Sequence, residues 1–252
     1  MPASVSYSST TEIVVRRAQQ GVTMCGRYSL VCIDDLGNRF RVFNPMIGAR
    51  SRFNIAPGAT MPVVVGGDTS SLVMMQWGLI PHWTPATGTA RPLINARAET
   101  LAEKASFRYL VVKNRCLVPA SGYFEWKTEG RHKTPYYFSI PENPCFAFAG
   151  LFDVWHDTNG RTVASYTIIT TEPNALSAPI HNRMPVILAR EHEERWLSRE
   201  APDAGLLKQI LAPYPDQGMS AVPVSPLVNN PAIDDERVIA PVDSCGTQTE
   251  LW

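Results

Sequence analysis

The sequence predicts an α+β fold, a single domain built on a mostly antiparallel, barrel-like β-sheet with short flanking helices. Three observations predict it. Short runs rich in Val, Ile, Phe and Tyr outnumber the helix-like segments. The 21 prolines are spread along the chain and divide it into short elements. No repeat or linker interrupts the 252 residues, and a hydrophobic content of 44% is enough for one large core.

Seven runs have the composition of β-strands and are bounded by Gly, Pro or polar residues. In chain order they are residues 61–65, 72–77, 115–118, 122–127, 136–140, 145–152 and 163–170. Short strands that dominate a chain with a few interspersed helices favour a mostly antiparallel sheet.

Helix-like segments are fewer. Thr100 and Glu103 have the spacing of a capping box, which predicts a helix over 100–109. Residues 189–197 and 203–211 are predicted to form short helices, and residues 173–178 a turn or two of helix.

We expect residues 1–24 to be a disordered or removed N-terminal extension, residues 25–235 the catalytic domain, and residues 236–252 a C-terminal tail. The extension is rich in Ser and Thr and lacks the apolar centre of a secretory signal. A disordered tail, a weak targeting sequence and residues upstream of a misassigned start all fit it. A misassigned start is of chemical interest because Met24 directly precedes Cys25.

The charges are balanced overall but not along the chain. The 23 basic and 23 acidic residues give a net charge of zero, which taken alone argues against a polyanion as partner. Residues 25–133 carry 14 basic against 7 acidic residues, a net +7, whereas residues 134–252 carry 7 against 15, a net −8. Such asymmetry indicates an interaction surface, with two ordinary solvated surfaces as the alternative.

The cysteines and the hydropathy indicate in which compartment the protein works and whether it spans a membrane. Five cysteines without CxxC spacing disfavour both a disulfide framework and a zinc site, and they favour a reduced intracellular compartment. No apolar run approaches the roughly 18–20 residues of a membrane span, so we expect no membrane partner.

Cys25 would be an unusual reagent if the chain began at Met24. Initiator Met is readily removed before a small residue, which would leave Cys25 with a free α-amine beside its thiol. That amine is partly neutral at neutral pH, and the thiol is easily activated. A buried structural cysteine is the alternative.

Three further clusters could carry chemistry. Asn95 and Arg97 project to one side of an extended segment, where they could orient an amine and bind a phosphate; a turn and a surface arginine are the alternative. Glu125 alternates with aromatic residues, which suits a desolvated proton shuttle, or it forms a surface pair with Lys127. His181 lies in a Pro-flanked loop, as an acid/base group or a merely hydrogen-bonded side chain.

An aromatic loop adds Trp83, which could stack on a base or simply cover the core. Taken together, these segments resemble the SRAP family, the SOS response-associated peptidases that shield abasic sites. The matching segments are MCGRY at 24–28, FNIAPG at 53–58, WGLIPHW at 77–83, INARAET at 94–100, RCLVPASGYFEWK at 115–127, FAGLFDVW at 148–155, and TIITTEPN and IHNRMPVIL within 167–188.

The resemblance implies a monomeric protein that traps abasic sites in single-stranded DNA covalently, through a thiazolidine formed by an N-terminal cysteine. No metal or organic cofactor is required. By motif position, the implied catalytic residues are Cys25, Asn95, Glu125 and His181. The implied DNA-binding residues are Arg27, Asn54, Pro57, Trp83, Arg97 and Thr170.

The 24 residues before Cys25 depart from this chemistry, which needs a free α-amine. Either translation begins at Met24 or the extension is removed, and the peptidase activity that the family name implies could remove it. Two alternatives remain. An amidohydrolase that uses an N-terminal cysteine would explain Cys25 but not the other motifs. A non-covalent single-strand binder would form no covalent bond, so it predicts that Cys25→Ala keeps its affinity.

Overall fold

A computed structural model describes residues 25–42, 50–66, 69–85 and 91–242. The predicted extension over residues 1–24 lies outside this range. The twelve strands are β1 (Tyr28–Leu30), β2 (Arg52–Ile55), β3 (Thr60–Val65), β4 (Ser71–Trp77), β5 (Asn95–Arg97), β6 (Arg115–Ala120), β7 (Gly122–Glu129), β8 (His132–Ser139), β9 (Phe146–His156), β10 (Thr162–Thr171), β11 (Met184–Pro185) and β12 (Ser220–Pro223).

The helices are short. They are α1 (Leu36–Arg39), α2 (Leu110–Lys113), α3 (Arg190–Leu197) and α4 (Ala204–Ile210), with 3₁₀ turns at Ile33–Asp35, Ala98–Thr100, Pro226–Asn229 and Glu236–Val238. The helix Arg190–Leu197 buries Trp196, whose indole NH donates to the Cys116 carbonyl in β6 at 3.0 Å. This contact fixes α3 against the sheet.

One sheet closes on itself. Its strands follow the order β11-β10-β4-β3-β6-β9, and β10 also pairs with β9, so β4, β3, β6, β9 and β10 complete a ring of five strands. All pairs in the ring are antiparallel except β10 with β4. Strand β5 adds a second parallel partner to β10, placing Asn95 opposite Ile168 and Arg97 opposite Thr170. The α+β fold with a mostly antiparallel, barrel-like sheet is confirmed.

The second sheet carries the residues around Cys25. Its order is β12-β8-β7-β1-β2, antiparallel throughout. Strand β7 alternates between two cores, because successive side chains of a strand point to opposite faces. Tyr123 packs in the large core shared with the barrel, whereas Phe124 packs in a smaller cluster with Tyr137, Val224, Val228 and Val238.

The C-terminal residues that the structure describes pack on this second face. Val238 is fully buried, and the backbone NH of Val242 donates to the Pro223 carbonyl at 3.0 Å. Asp234 accepts hydrogen bonds from the backbone NH groups of Phe53 and Asn54. The segment after β12 therefore holds β2 in place through hydrogen bonds to the backbone of that strand.

All seven predicted strands are confirmed, and each extends one to four residues beyond the prediction at one or both ends, although residues 140 and 145 lie outside the strands. The helices over 189–197 and 203–211 are also confirmed. The predicted helix over 100–109 is wrong, because that segment forms turns between Ala98–Thr100 and α2. The Thr100 hydroxyl donates back to the Arg97 carbonyl at 3.5 Å, and no side-chain cap forms at the start of the segment. Residues 175–180 form turns rather than helix.

A disulfide joins Cys32 to Cys145, a pairing that the odd number and the spacing of the cysteines did not predict. The two residues are 113 positions apart, and only the fold brings the end of β1 to the start of β9. Cys25 and Cys116 are free and buried. Within the described ranges, no helix is long and apolar enough to span a membrane.

Candidate active site

Cys25 lies just before β1, at the edge of the second sheet. The Phe124 backbone NH donates to the Arg27 carbonyl at 3.0 Å, and Tyr28 lies opposite Tyr123, so this segment runs alongside β7. The backbone nitrogen of Cys25 donates to Glu125 Oε1 at 2.8 Å. Cys25 is fully buried, and burial raises the pKa of its thiol well above the usual value, with Glu125 raising it further.

Glu125 is the buried carboxyl of the site. It is 2% exposed, and it lies on the face of β7 that it shares with Tyr123. Burial raises the pKa of Glu125 well above its ordinary value, and the hydrogen bond from the Cys25 backbone lowers it in part. A carboxyl with a raised pKa can act as a proton donor near neutral pH. The alternative of a surface pair with Lys127 is excluded, since Lys127 pairs with Glu129 at 2.7 Å.

Asn95 and His181 complete the group from the barrel side. Asn95 Nδ2 donates to the Cys25 carbonyl at 3.1 Å, and the parallel pairing of β5 with β10 places it there. His181 Nδ1 lies 3.9 Å from Glu125 Oε2, with the side chain 13% exposed. The backbone NH of Arg183 donates to His181 Nδ1 at 3.2 Å, which orients the ring. All four residues with predicted catalytic roles thus lie together.

Arg27 and Asn54 form a second, partly buried group beside Cys25. The Arg27 guanidinium donates to Asn54 Oδ1 at 2.7 Å and to the Val228 carbonyl at 2.6 Å. Asn54 Nδ2 donates in turn to the carbonyls of Val228, Asn230 and Ile233. Asn54 is 1% exposed, so it could influence a DNA contact only by positioning the Arg27 side chain. Pro57 is exposed in the turn after β2.

Arg97 and Thr170 lie opposite each other in the pairing of β5 with β10. Arg97 is exposed, whereas Thr170 is fully buried. The Thr170 carbonyl accepts a hydrogen bond from Arg183 at 2.6 Å, and Arg183 also binds Glu99 through two hydrogen bonds of 2.7 and 3.0 Å. Arg183 was not among the residues that the sequence predicted for the site, although its position two residues after His181 could have indicated it.

Trp83 lies away from this group. It is 48% exposed and lines a cleft of about 720 Å³ with His82, Arg108, Tyr109 and Asp153. Cys25, Glu125 and His181 are absent from the residues lining that cleft in the described part of the chain. The His82 ring lies edge-on to Trp83 with centroids 5.0 Å apart, and His82 Nδ1 lies 2.9 Å from an oxygen of Asp153.

No cluster of three or more His, Cys, Asp or Glu side chains in the described segments could hold a metal ion. The four residues bring together a thiol, a main-chain nitrogen, a buried carboxyl and an imidazole. A nucleophile with an acid and a base within reach is the pattern of covalent catalysis.

Comparison with known proteins gives a consistent family. The model of the SOS response associated peptidase (SRAP) family matches residues 24–231. Abasic site processing protein YoqW of Bacillus subtilis is 39% identical over 221 residues, which cover 86% of this chain and 99% of that protein. Abasic site processing protein HMCES of Xenopus tropicalis is 33% identical over 211 residues, covering 71% of this chain and 62% of that protein.

The fold recurs in a solved structure. A crystal structure of a protein from Bacteroides thetaiotaomicron superposes with a TM-score of 0.79 at 30% identity, covering 86% of this chain and all of that one. The family match spans the strands that bring Cys25, Asn95, Glu125 and His181 together. The chain belongs to the SOS response associated peptidase family.

Proposed function

We propose that this protein, with Cys25 as its first residue, crosslinks covalently to abasic sites in single-stranded DNA and so shields the lesion. One observation carries the proposal. The buried carboxyl of Glu125 binds the nitrogen of Cys25, at 2.8 Å, rather than its sulfur. A simple thiol enzyme needs acid and base groups at the sulfur, whereas Schiff-base chemistry needs them at the nitrogen. The names of the relatives, abasic site processing proteins, support the same substrate.

The reaction begins at the amine. The Cys25 nitrogen adds to the aldehyde carbon of the opened sugar, C1′, and loss of water leaves a Schiff base. The sulfur then adds to the same carbon, the thiol proton passes to the nitrogen, and a thiazolidine ring results. In this scheme Glu125 protonates the hydroxyl group that departs as water, because burial raises the pKa of its carboxyl and favours the protonated form. His181, 3.9 Å from Glu125, assists opening of the sugar and transfers protons.

The free amine must be generated first. It arises if translation begins at Met24 and that residue is removed. Alternatively, the Cys25 sulfur attacks the preceding carbonyl carbon and the peptide bond breaks as the Cys25 nitrogen takes a proton from Glu125, which the thiol proton replaces. Water then hydrolyses the thioester, which releases residues 1–24 with a free carboxyl group and restores the Cys25 thiol. This second route is the autoproteolytic activity that we propose for the extended chain.

The DNA strand would bind across the residues around this centre. Arg27, Arg97 and Arg183 offer guanidinium groups to phosphates, and Thr170 fixes Arg183 through its carbonyl. Pro57 and Trp83 are exposed and suit contacts with sugar and base. Asn54 holds the Arg27 side chain in place.

Denaturing electrophoresis with an abasic oligonucleotide tests the proposal. We expect a heat-stable shifted band from a chain that begins at Met24, and from the full chain only where intact-mass analysis shows residues 1–24 removed. In the chain that begins at Met24, Cys25→Ser keeps the α-amine but lacks the thiol, so its adduct should be lost on heating. In the chain that retains residues 1–24, Cys25→Ala should leave the affinity for DNA unchanged. The absence of a stable band from both chains would refute crosslinking, and ammonia release from glutamine would favour an amidohydrolase.

A further inference from the structure

The ion pair between Glu99 and Arg183 lies directly beside the reactive centre. Arg183 Nη1 donates to Glu99 Oε1 at 2.7 Å, and Arg183 Nη2 donates to Glu99 Oε2 at 3.0 Å. The backbone NH of the same arginine donates to His181 Nδ1 at 3.2 Å, and Glu99 lies in the 3₁₀ turn Ala98–Thr100 that follows β5. The pair therefore links the histidine loop to the strand that carries Asn95.

A second ion pair of the same geometry shows what is unusual here. Arg39 donates to the two carboxylate oxygens of Glu193 at 2.9 and 2.6 Å, the two side chains are 6% and 9% exposed, and Arg39 Nε donates to the Cys145 carbonyl at 2.8 Å. In the pair beside the site, by contrast, the Glu99 side chain is 49% exposed and that of Arg183 is 14% exposed. A half-exposed carboxylate can turn into solvent at little cost.

Arg183 keeps another anchor when Glu99 turns away. Its Nη2 also donates to the carbonyl of Thr170, a fully buried residue of β10, at 2.6 Å. Arg183 Nε is buried and finds no acceptor among the residues that the structure describes. A guanidinium that is largely removed from solvent and incompletely hydrogen-bonded needs an anion. Nothing in this geometry requires that the anion be Glu99.

A phosphodiester is an anion that fits the same place. Phosphates and carboxylates both present two oxygens to the fork of a guanidinium. Arg97 is exposed and lies opposite Thr170 in the pairing of β5 with β10, so a second cation lies at the same register. The hydrogen bonds from Arg183 lower the pKa of Glu99 below its ordinary value, and so its carboxylate is charged at neutral pH and competes with a phosphate.

We propose that Glu99 is a specificity-determining residue: its carboxylate occupies Arg183 in the free protein, and a phosphate of single-stranded DNA displaces it on binding. The inference rests on the proposed function, because that function makes a DNA phosphate the competing anion. The competition weakens binding to every strand before any covalent bond forms. A completed crosslink no longer depends on this affinity, so the weakening acts chiefly on intact DNA.

The test measures the affinity of the full chain for fluorescein-labelled oligo-dT by fluorescence anisotropy at low salt. Intact DNA offers no aldehyde, so only non-covalent binding is measured. Glu99→Gln keeps the size of the side chain and removes its charge, and we expect it to bind about three- to fivefold more tightly, the strength of an exposed ion pair. The thermal midpoint without DNA should fall slightly. If Glu99 only oriented Arg183, Glu99→Gln would bind more weakly, and weaker or equal binding would overturn the proposal.

Two comparisons separate this effect from a general change of charge. Glu142→Gln removes an equal charge from the exposed turn between β8 and β9, and it should leave the affinity for oligo-dT unchanged. In a chain that carries Arg183→Gln, adding Glu99→Gln should give no further gain, because the arginine that it releases is absent. A gain of equal size from Glu142→Gln, or one that persists without Arg183, would contradict the proposal. Glu142→Gln decides the matter if Arg183→Gln does not fold.

A second arm measures specificity. In whichever form of the chain crosslinks, unlabelled oligo-dT should suppress the heat-stable band of Glu99→Gln at about a three- to fivefold lower concentration than it does in the unaltered chain. Tighter binding without stronger competition would overturn the role in specificity. Tighter binding by Glu99→Gln in a protein that never crosslinks would refute the proposed function alone. Failure of every variant to bind oligo-dT would refute this inference, whereas electrophoresis with abasic DNA decides crosslinking separately.

Discussion

At the scale of the residue, two features of the surroundings of Glu125 shift the pKa of its carboxyl in opposite directions. Burial raises the pKa of its carboxyl and favours the neutral form, whereas the hydrogen bond from the Cys25 nitrogen at 2.8 Å favours the charged form. The alternation of β7 already predicted a desolvated carboxyl. The sequence could not predict its partner, because Cys25 lies 100 residues away and only the pairing of β1 with β7 brings the two together.

Glu125 makes stability depend on pH. Its folded pKa lies above the value of 4.5 that it has when exposed, so folding takes up a proton between the two values. The corresponding stability is present below about pH 4.5 and is lost as the pH rises through the folded pKa. We expect Glu125→Gln to flatten the fall in unfolding free energy between pH 5 and pH 8, as measured by urea denaturation of the full chain.

Glu129→Gln is the control for this measurement, because Glu129 is an exposed carboxylate on the same strand. It should leave the pH profile of the unfolding free energy unchanged. An equal slope in Glu125→Gln and the unaltered chain would contradict the raised pKa.

At the scale of the element, the strands could be predicted from the sequence, but the closure of five of them into a barrel could not. Runs such as Leu72–Trp77 and Val163–Thr170 carry their β-propensity in their own residues. The parallel contacts of β10 with β4 and β5 join segments far apart in sequence, and they place Asn95 and Arg97 at the site. The capping-box prediction at Thr100 was wrong because the hydroxyl binds Arg97 instead of the chain ahead of it.

The disulfide between Cys32 and Cys145 ties the end of β1 to the start of β9. A link across 113 positions should stabilise the folded chain by roughly 2–5 kcal/mol, chiefly by restricting the unfolded chain. We expect Cys32→Ser to lower the thermal midpoint in the absence of reductant. With reductant, the unaltered chain should fall towards the midpoint of Cys32→Ser, and identical midpoints under both conditions would contradict the bridge.

Gly150 lies where β9 pairs with both of its neighbours in the barrel. It pairs with Cys116 in β6 and with Ile168 in β10, and a Cβ there would lie 2.8 Å from both Cys116 Sγ and Val118 Cγ2. Gly150→Ala should therefore destabilise the protein by about 1–3 kcal/mol in denaturant unfolding. Gly205→Ala, in α4, meets only Asp203 Oδ1 at 3.2 Å and should be neutral or slightly stabilising.

At the scale of the whole molecule, the neutral net charge conceals a division that matches the site. The half with net +7 supplies Cys25, Arg27, Asn95, Arg97 and Glu125, whereas the half with net −8 supplies His181 and Thr170. A net charge of zero does not by itself exclude a nucleic-acid partner, because such binding depends on local cations rather than on the sum of charges.

Under the proposed function, the crosslinking rate at subsaturating DNA should fall as salt rises. Each phosphate contact with single-stranded DNA contributes about −0.7 to the slope of log affinity against log salt. Arg97 is exposed and makes no ion pair in the described structure, so Arg97→Ala should reduce the slope by about that amount. Arg161→Ala, in the exposed turn between β9 and β10, should leave the slope unchanged. A salt-independent rate would contradict the proposed binding of phosphates by the arginines of the site.

The Asn54 amide has a consequence for how the protein is made. It holds Arg27 beside Cys25 only by binding three carbonyls between Val228 and Ile233. During synthesis, the ribosome releases these residues long after the first strands have emerged. The packing beside Cys25 therefore cannot form on an unfinished polypeptide, and Cys25 gains its full surroundings only when nearly the whole chain has been translated.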